Sequence, residues 1–136
     1  MTKQDLSQLY YLRREIARDE DKLAELEAAL DGLGAARVTG MPAGKPDADR
    51  TGLQVARILE LRQIINAKLA RARAEEVYLA GYIAGVQDSL IRQILTARYL
   101  DGKSWAGVAA AIGGGNTPDA VRKAHERWLM YHDNNS

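Results

Sequence analysis

The chain has 136 residues, of which 46% are hydrophobic, 27% are charged and 6% are aromatic, with a formal net charge of +1 at pH 7. This length suits one or two small domains and excludes a large enzyme cleft. The absence of cysteine excludes disulfides and zinc–thiolate sites, and the near-neutral charge argues against a strong nonspecific grip on nucleic acid. Abundant Ala and Leu favour helices over a sheet.

Membrane and metal functions are also disfavoured. No apolar run approaches membrane-spanning length, and the N-terminus lacks the apolar core of a signal peptide. The two histidines, His125 and His132, are too few to build a metal site without carboxylates, and no HExxH spacing occurs. We therefore expect a cytoplasmic protein with no metal, no other cofactor and no membrane partner.

The first predicted helix runs from about Lys3 to Asp31 and carries one apolar seam. Its positions recur at steps of three and four residues, which is typical of coiled-coil packing. One position of the seam is occupied by Asp19 instead of an apolar residue. The apolar seam positions are Leu9, Leu12, Ile16, Leu23, Leu26, Leu30 and Leu33.

Glycines and prolines between Gly34 and Asp49 predict a loop there. The second long helix is expected to begin between Asp49 and Thr51 and to end near Gly81 or Gly85. Because each long helix must bury its stripe, an antiparallel hairpin that self-associates, with a dimer as the first expectation, is the predicted arrangement. The predicted stripe of the second helix comprises Val55, Ile58, Leu59, Leu61, Ile65, Leu69, Ala72, Leu79 and Ile83.

A third helix is predicted over Ser89–Leu100, with Asp88 as its N-cap. Its apolar residues are expected to face a compact C-terminal core. Those residues are Leu90, Ile91, Ile94, Leu95 and Leu100. The rest of that core is predicted to consist of Trp105, Val108, Ala109, Ile112, Val121, Trp128 and Leu129.

Two short helices joined by a glycine-bearing turn follow. The first is predicted over Trp105–Ile112 with Ser104 as its cap, and the turn is Gly113–Asn116. Thr117 caps the last helix, which has a proline at its first position and runs to about Tyr131. This layout is typical of a helix-turn-helix that reads DNA with its second helix.

One face of the last helix is predicted to contact DNA, and the opposite face, which includes His125, is interpreted as core. Asp119 suits a cytosine amino group, and Arg122 or Lys123 suits guanine. Basic residues around this helix, such as Arg98, suit phosphates. The predicted DNA-contacting residues are Lys103, Ser104, Thr117, Asp119, Ala120, Arg122, Lys123, Glu126 and Arg127.

The C-terminal part of the sequence carries one extended pattern, which consists of Arg98–Trp105, Val108-Ala109, Ile112-Gly113, Thr117 and Val121–Lys123. This pattern resembles region four of sigma factors. With its coiled-coil-like front half, the whole chain resembles the ArpU-like late transcription regulators of phages and prophages, whose linker is similar to Gly40–Pro42 and Asp49–Thr51. The resemblance implies double-stranded DNA as a partner, RNA polymerase as a further candidate partner, and a bacterial or phage-infected cell as the location.

These patterns predict an all-α protein, a long coiled-coil-like hairpin followed by a compact helix-turn-helix domain. Residues 1–83 form the oligomerisation hairpin with a loop at 34–49, and residues 84–132 form the DNA-binding domain. The predicted function is sequence-specific DNA binding by a transcription regulator. Two alternatives stay open: a DNA-packaging protein of the small-terminase type, and a sigma-like adaptor that binds RNA polymerase without reading DNA. No nucleophile, base and orienting group occur together, so neither an enzyme nor a catalytic residue is predicted.

Overall fold

The computed structural model describes residues 1–38 and 45–134, with side chains over residues 1–32 and 49–132. This part of the chain is helical throughout apart from short turns, which confirms the all-α fold with a long helix pair before smaller helices. The elements are α1 (Lys3–Val38), α2 (Lys45–Ala84), α3 (Ser89–Leu95), a π-helical turn (Thr96–Leu100), α4 (Trp105–Ile112) and α5 (Pro118–Asn134).

The predicted loop Gly34–Asp49 is wrong at both ends, because α1 continues to Val38 and α2 already begins at Lys45. Gly34, the first glycine of this segment, is followed by two alanines and an arginine, which favour a helix. A single glycine destabilises a helix by only about 1 kcal/mol relative to alanine. Pro46 lies in the first turn of α2, where backbone N–H groups have no acceptor within the helix, so the N–H that proline lacks is not needed. Residues 39–44, with the linker similarity that they carry, lie outside the described residues.

Residues 14–71 form one compact unit, in which α1 and α2 pack as an antiparallel pair. Two ion pairs show the direction. Arg62 Nη2 lies 2.6 Å from Glu27 Oε1, and Lys68 Nζ lies 2.7 Å from Asp19 Oδ2. Because the later residue of α1 pairs with the earlier residue of α2, the two helices run in opposite directions.

A charged pair occupies one layer of this helix pair. Asp19 stands in the seam of α1 between Ile16 and Leu23, and Lys68 follows the buried Ile65 by one helical turn. Their side chains are only 24% and 28% exposed, and the hydrogen bond to Asp19 raises the pKa of Lys68 above 10.5. Since these two charges meet in only one alignment of the helices, the polar seam position specifies the register of the pair.

The apolar stripe of α2 is narrower than the predicted one. Val55 and Leu59 were expected to face inward, and both are exposed, at 39% and 53%. A strict seven-residue repeat keeps one line of side chains facing the neighbouring helix, and residues beside that line turn to solvent. The residues of α2 that follow this repeat and are buried are Ile58, Ile65, Ala72 and Leu79.

The second compact unit contains residues 1–13 and the chain from Ala72 onward. This division differs from the predicted boundary at residues 83 and 84. The first turns of α1 belong to this unit because Leu6 and Leu9 are fully buried. They share its core with Ile94, Leu95, Val108, Val121 and His125.

The start of α3 confirms one prediction and contradicts another. Asp88 Oδ1 accepts from the backbone N–H groups of Leu90 at 2.8 Å and Ile91 at 3.2 Å, so the predicted N-cap is present. Leu90 itself was expected in the core and is 38% exposed. The buried stripe uses Ile91 and its neighbours three and four residues later, which places Leu90 about 100° away around the helix.

Candidate nucleic-acid interface

The turn between α3 and α4 has a fixed backbone. The N–H of Asp101 donates to the carbonyl of Thr96 at 2.9 Å, and that of Lys103 donates to the carbonyl of Ala97 at 3.0 Å. The chain reverses at Gly102, which has a φ of 70°. Ser104 Oγ then accepts from the N–H of Gly107 at 3.2 Å, which confirms the predicted cap of α4. Lys103 is therefore presented from a rigid turn, with its side chain exposed.

The turn between α4 and α5 is built from three consecutive glycines with φ between 65° and 78°. A residue with positive φ raises the free energy of the folded chain little only when it has no Cβ, as in glycine. Asn116 closes the turn, because its side-chain amide donates to the carbonyl of Gly113 at 2.8 Å. Thr117 Oγ1 accepts from the N–H of Ala120 at 3.1 Å, which confirms the predicted cap of α5. The turn thus sets where α5 begins.

The two faces of α5 differ as expected. Val121, His125 and Leu129 are buried at steps of four residues. The predicted DNA-contacting residues on the other side are solvent-exposed, with the exception of Glu126, which is half-buried. The exposed ones are Thr117, Asp119, Ala120, Arg122, Lys123 and Arg127. The N-terminal half of α5 therefore offers a polar surface to a partner.

Asp119 neutralises part of this surface. Its Oδ1 lies 2.8 Å from Arg122 Nη2, and its Oδ2 lies 2.9 Å from Lys123 Nζ. Hydrogen bonds from Lys123 and Arg122 lower the pKa of the Asp119 carboxyl, so it is ionised at neutral pH. Exposed pairs of this kind are weak and readily exchanged. A competing anion can therefore bind Arg122 and Lys123 once it displaces the carboxylate of Asp119.

Glu126 faces α1 rather than the other predicted contact residues. Its Oε1 accepts from Lys3 Nζ at 3.2 Å, and it lies 3.6 Å from Nδ1 of the buried His125. Burial acts to raise the pKa of Glu126, but the hydrogen bond and charge of Lys3 outweigh it, so the pKa is lowered. Glu126 therefore pairs with α1, whereas Asp119 pairs with Arg122 and Lys123.

An aromatic cluster beneath this surface ties the helices together. His125 is fully buried, as its position on the inward stripe predicted, and Nε2 of its ring shares a hydrogen bond with the Tyr99 hydroxyl. The ring of Trp105 lies 4.9 Å from that of His125, and the guanidinium of Arg98 lies 4.6 Å from the Trp105 centroid. Burial lowers the pKa of His125 to about 4 and raises that of Tyr99 to about 12. Both groups are therefore neutral at pH 7.

The sequence predictions missed the contribution of α1 to this unit. Arg13 Nη1 donates to the carbonyl of Leu100 at 2.6 Å and so caps the end of the π-helical turn. Lys3 pairs with Glu126 on α5. The N-terminal residues carry no motif for either role. The only sequence feature that indicated a buried start of α1 was Leu6, an apolar residue one turn before the predicted seam.

Neither a metal site nor a membrane-spanning helix occurs among the described residues. Among the described residues, no group of three or more His, Asp or Glu side chains could hold a metal ion. No helix within residues 1–38 and 45–134 is long and apolar enough to cross a membrane.

Comparisons of the chain with profiles of known protein families, with curated proteins and with solved structures find no match.

Proposed function

We propose that this chain is a sequence-specific DNA-binding transcription regulator of the phage or prophage type, acting in the cytoplasm of a bacterial or phage-infected cell. In this proposal α5 enters the major groove of double-stranded DNA, and the long helices mediate self-association. No catalytic step, cofactor or metal is assigned to the chain.

The observation that carries the proposal is the exposed N-terminal half of α5. In helix-turn-helix proteins this part of the second helix meets the base edges, while the first helix crosses the DNA backbone. Here Arg122 and Lys123 are exposed on α5, and Lys103 is exposed directly before the cap of α4. The capped turns at both helix starts hold these cations on rigid backbone. Arg122 suits bidentate donation to guanine, and Lys103 suits a phosphate.

Self-association is supported by apolar side chains on the outer surface of α2. Leu53, Leu59 and Ile64 are 65%, 53% and 41% exposed, and a second chain packed against α2 would bury them. Two chains would place two copies of α5 on one duplex, at a spacing of about one helical turn or a multiple of it.

Selection from a genomic DNA fragment library, at low and moderate salt, tests the proposal. The wild-type chain should enrich one sequence motif, and Arg122→Ala/Lys123→Ala should abolish that enrichment. Arg71→Ala/Arg73→Ala is the matched control, since it removes the same charge from exposed positions of α2. Equal losses in both double variants would mean that only nonspecific charge attraction had been measured.

The pairing of Asp119 with Arg122 and Lys123 favours one second candidate, a sigma-like adaptor that binds RNA polymerase. A carboxylate at the tip of α5 repels phosphates but suits a basic protein surface. If no DNA motif is enriched, a pull-down with purified RNA polymerase should retain the wild-type chain, and Asp119→Lys should lose it.

A further inference from the structure

We propose that a pocket between the first turns of α1 and the turn preceding α4 binds a phosphate group. The pocket has a volume of about 250 Å³ and lies wholly within the unit that contains α3, α4 and α5. The residues that carry the argument are Lys3, Ser7, Tyr10, Tyr11, Arg98 and Lys103.

The charge of the pocket lining points to an anion. Lys3, Arg98 and Lys103 all contribute to it, and no carboxylate occurs among the lining residues within the described chain. Lys3 is partly compensated by Glu126 at 3.2 Å. Lys103 makes no ion pair with any carboxylate whose side chain the structure describes. Three cations around one small cavity repel one another, so an oxyanion among them gains attraction from each.

Arg98 is held in place before any ligand arrives. Its guanidinium lies 4.6 Å from the centroid of the Trp105 ring, and its Nη1 donates to the carbonyl of Lys103 at 2.9 Å. An arginine has five N–H donors in a fixed fork, so most of them are left for a ligand. This fork matches the oxygens of a phosphate, and a pre-oriented side chain loses little entropy on binding. Arg98 belongs to the π-helical turn, a feature that is frequent at functional sites.

The remaining lining adds no competing charge. The Ser7 hydroxyl donates to the carbonyl of Lys3 at 2.8 Å, and Tyr10 and Tyr11 form an edge-to-face pair with ring centroids 5.3 Å apart. The cavity is slightly smaller than the pockets of about 300–1,000 Å³ that enclose whole drug-sized molecules. A phosphate group, alone or as part of a longer molecule, therefore fits both the charge and the size of the pocket.

The position of the pocket points to a phosphate of the DNA backbone, an assignment that rests on the proposed function. Lys103 directly precedes Ser104, the cap of α4, and the first helix of a helix-turn-helix crosses the backbone. A free phosphate ion would meet the same donors. The two sources are distinguished by measuring them separately.

Titration of the full chain with sodium phosphate tests the pocket without DNA. A Trp128→Phe background leaves Trp105, stacked under Arg98, as the only indole, and sodium chloride keeps the ionic strength constant. We expect a saturable change in fluorescence, with the affinity lowered about tenfold in Lys103→Ala because one charge-assisted hydrogen bond is lost. Ser7→Ala should have little effect, because its hydroxyl already donates to the carbonyl of Lys3. Arg73→Ala, an exposed position outside the lining, should have no effect. Broadening of the ³¹P resonance provides a readout that does not depend on tryptophan.

Duplex DNA binding over a range of salt concentrations then identifies the source of the phosphate. If the DNA backbone occupies the pocket, Lys103→Ala should reduce the salt slope by about one, whereas Arg73→Ala should leave it unchanged. Saturable phosphate binding with an unaltered slope would assign the pocket to a free phosphate. If the wild-type chain binds no DNA, the proposed function fails, and the phosphate titration still decides the pocket. No saturable phosphate response together with an unaltered slope would overturn the proposal.

Discussion

Acidification from pH 8 to pH 5 should destabilise the C-terminal unit through His125. This ring is fully buried, burial lowers its pKa from 6.5 to about 4, and its Nδ1 has no hydrogen-bond partner in the described structure. The neighbouring Glu126 favours the protonated ring, whereas Lys3 and Arg98 disfavour it. Because the unfolded chain takes up the proton more readily, the stabilisation is complete above pH 6.5 and declines as the pH falls toward 4. At pH 5 the loss amounts to about 2 kcal/mol.

Urea unfolding followed by circular dichroism at pH 8, 6 and 5 measures this loss. The informative variant is Tyr99→Phe/His125→Leu, which removes the titrating ring and the hydroxyl bonded to it together, so that no polar group is left unpaired. Between pH 8 and pH 5, the free energy of unfolding of this variant should fall by about 2 kcal/mol less than that of the wild type. His132→Gln is the matched control, because this histidine is exposed, and it should behave as the wild type.

Two results would refute the reasoning about His125. One is an equal pH dependence in the wild type and the double variant. The other is a pKa of the His125 ring near 6.5, read from its NMR titration in the folded chain. Either result would mean that the ring is accessible to water and protons without unfolding.

Three further predictions concern the turn, the surface of α5 and the helix pair. Gly114→Ala should lower the free energy of unfolding by about 1 kcal/mol because φ is 65° there, whereas Gly81→Ala, inside α2 with no atom within 4 Å of the added methyl, should raise it by a similar amount in urea titrations. Asp119→Asn should raise the affinity for duplex DNA several-fold at low salt and less at high salt, as measured by fluorescence anisotropy; unchanged affinity would show that its carboxylate does not compete with DNA. Lys68→Leu should lower the melting temperature, because it leaves Asp19 unpaired in the seam, and the added substitution Asp19→Leu should restore the melting temperature. Equal melting temperatures in all three chains would show that this pair does not specify the register of the helices.

Local rules were sufficient for most of the C-terminal elements. The caps at Asp88, Ser104 and Thr117 were predicted from side chains that bond only to the next few residues. The helix Trp105–Ile112 has the predicted limits, because a capping serine and a glycine stand at its ends. Burial of His125 followed from its place on an apolar stripe. Each of these inferences depends on neighbours within one or two helical turns.

Predictions failed where one residue had to be placed against a distant one. Val55 and Leu59 are as apolar as the buried residues of α2, and only the line of contact with α1 separates them. Lys3 and Glu126 are 123 positions apart in the chain, so no local pattern relates them. Asp19 was seen as a gap in a seam, but its partner Lys68 was not, because the alignment of the two helices was unknown.

The sequence by itself determined where α3, α4 and α5 begin, how they are capped and which face of α5 is buried, since these depend on local backbone hydrogen bonds and periodicity. Only the tertiary structure decided which cations share a pocket. Lys3 comes from α1, whereas Arg98 and Lys103 come from the turn before α4. They lie together because Leu6 and Leu9 bury the start of α1 in the C-terminal core. Burial of apolar surface is non-directional, so its outcome follows from the packing of the whole unit.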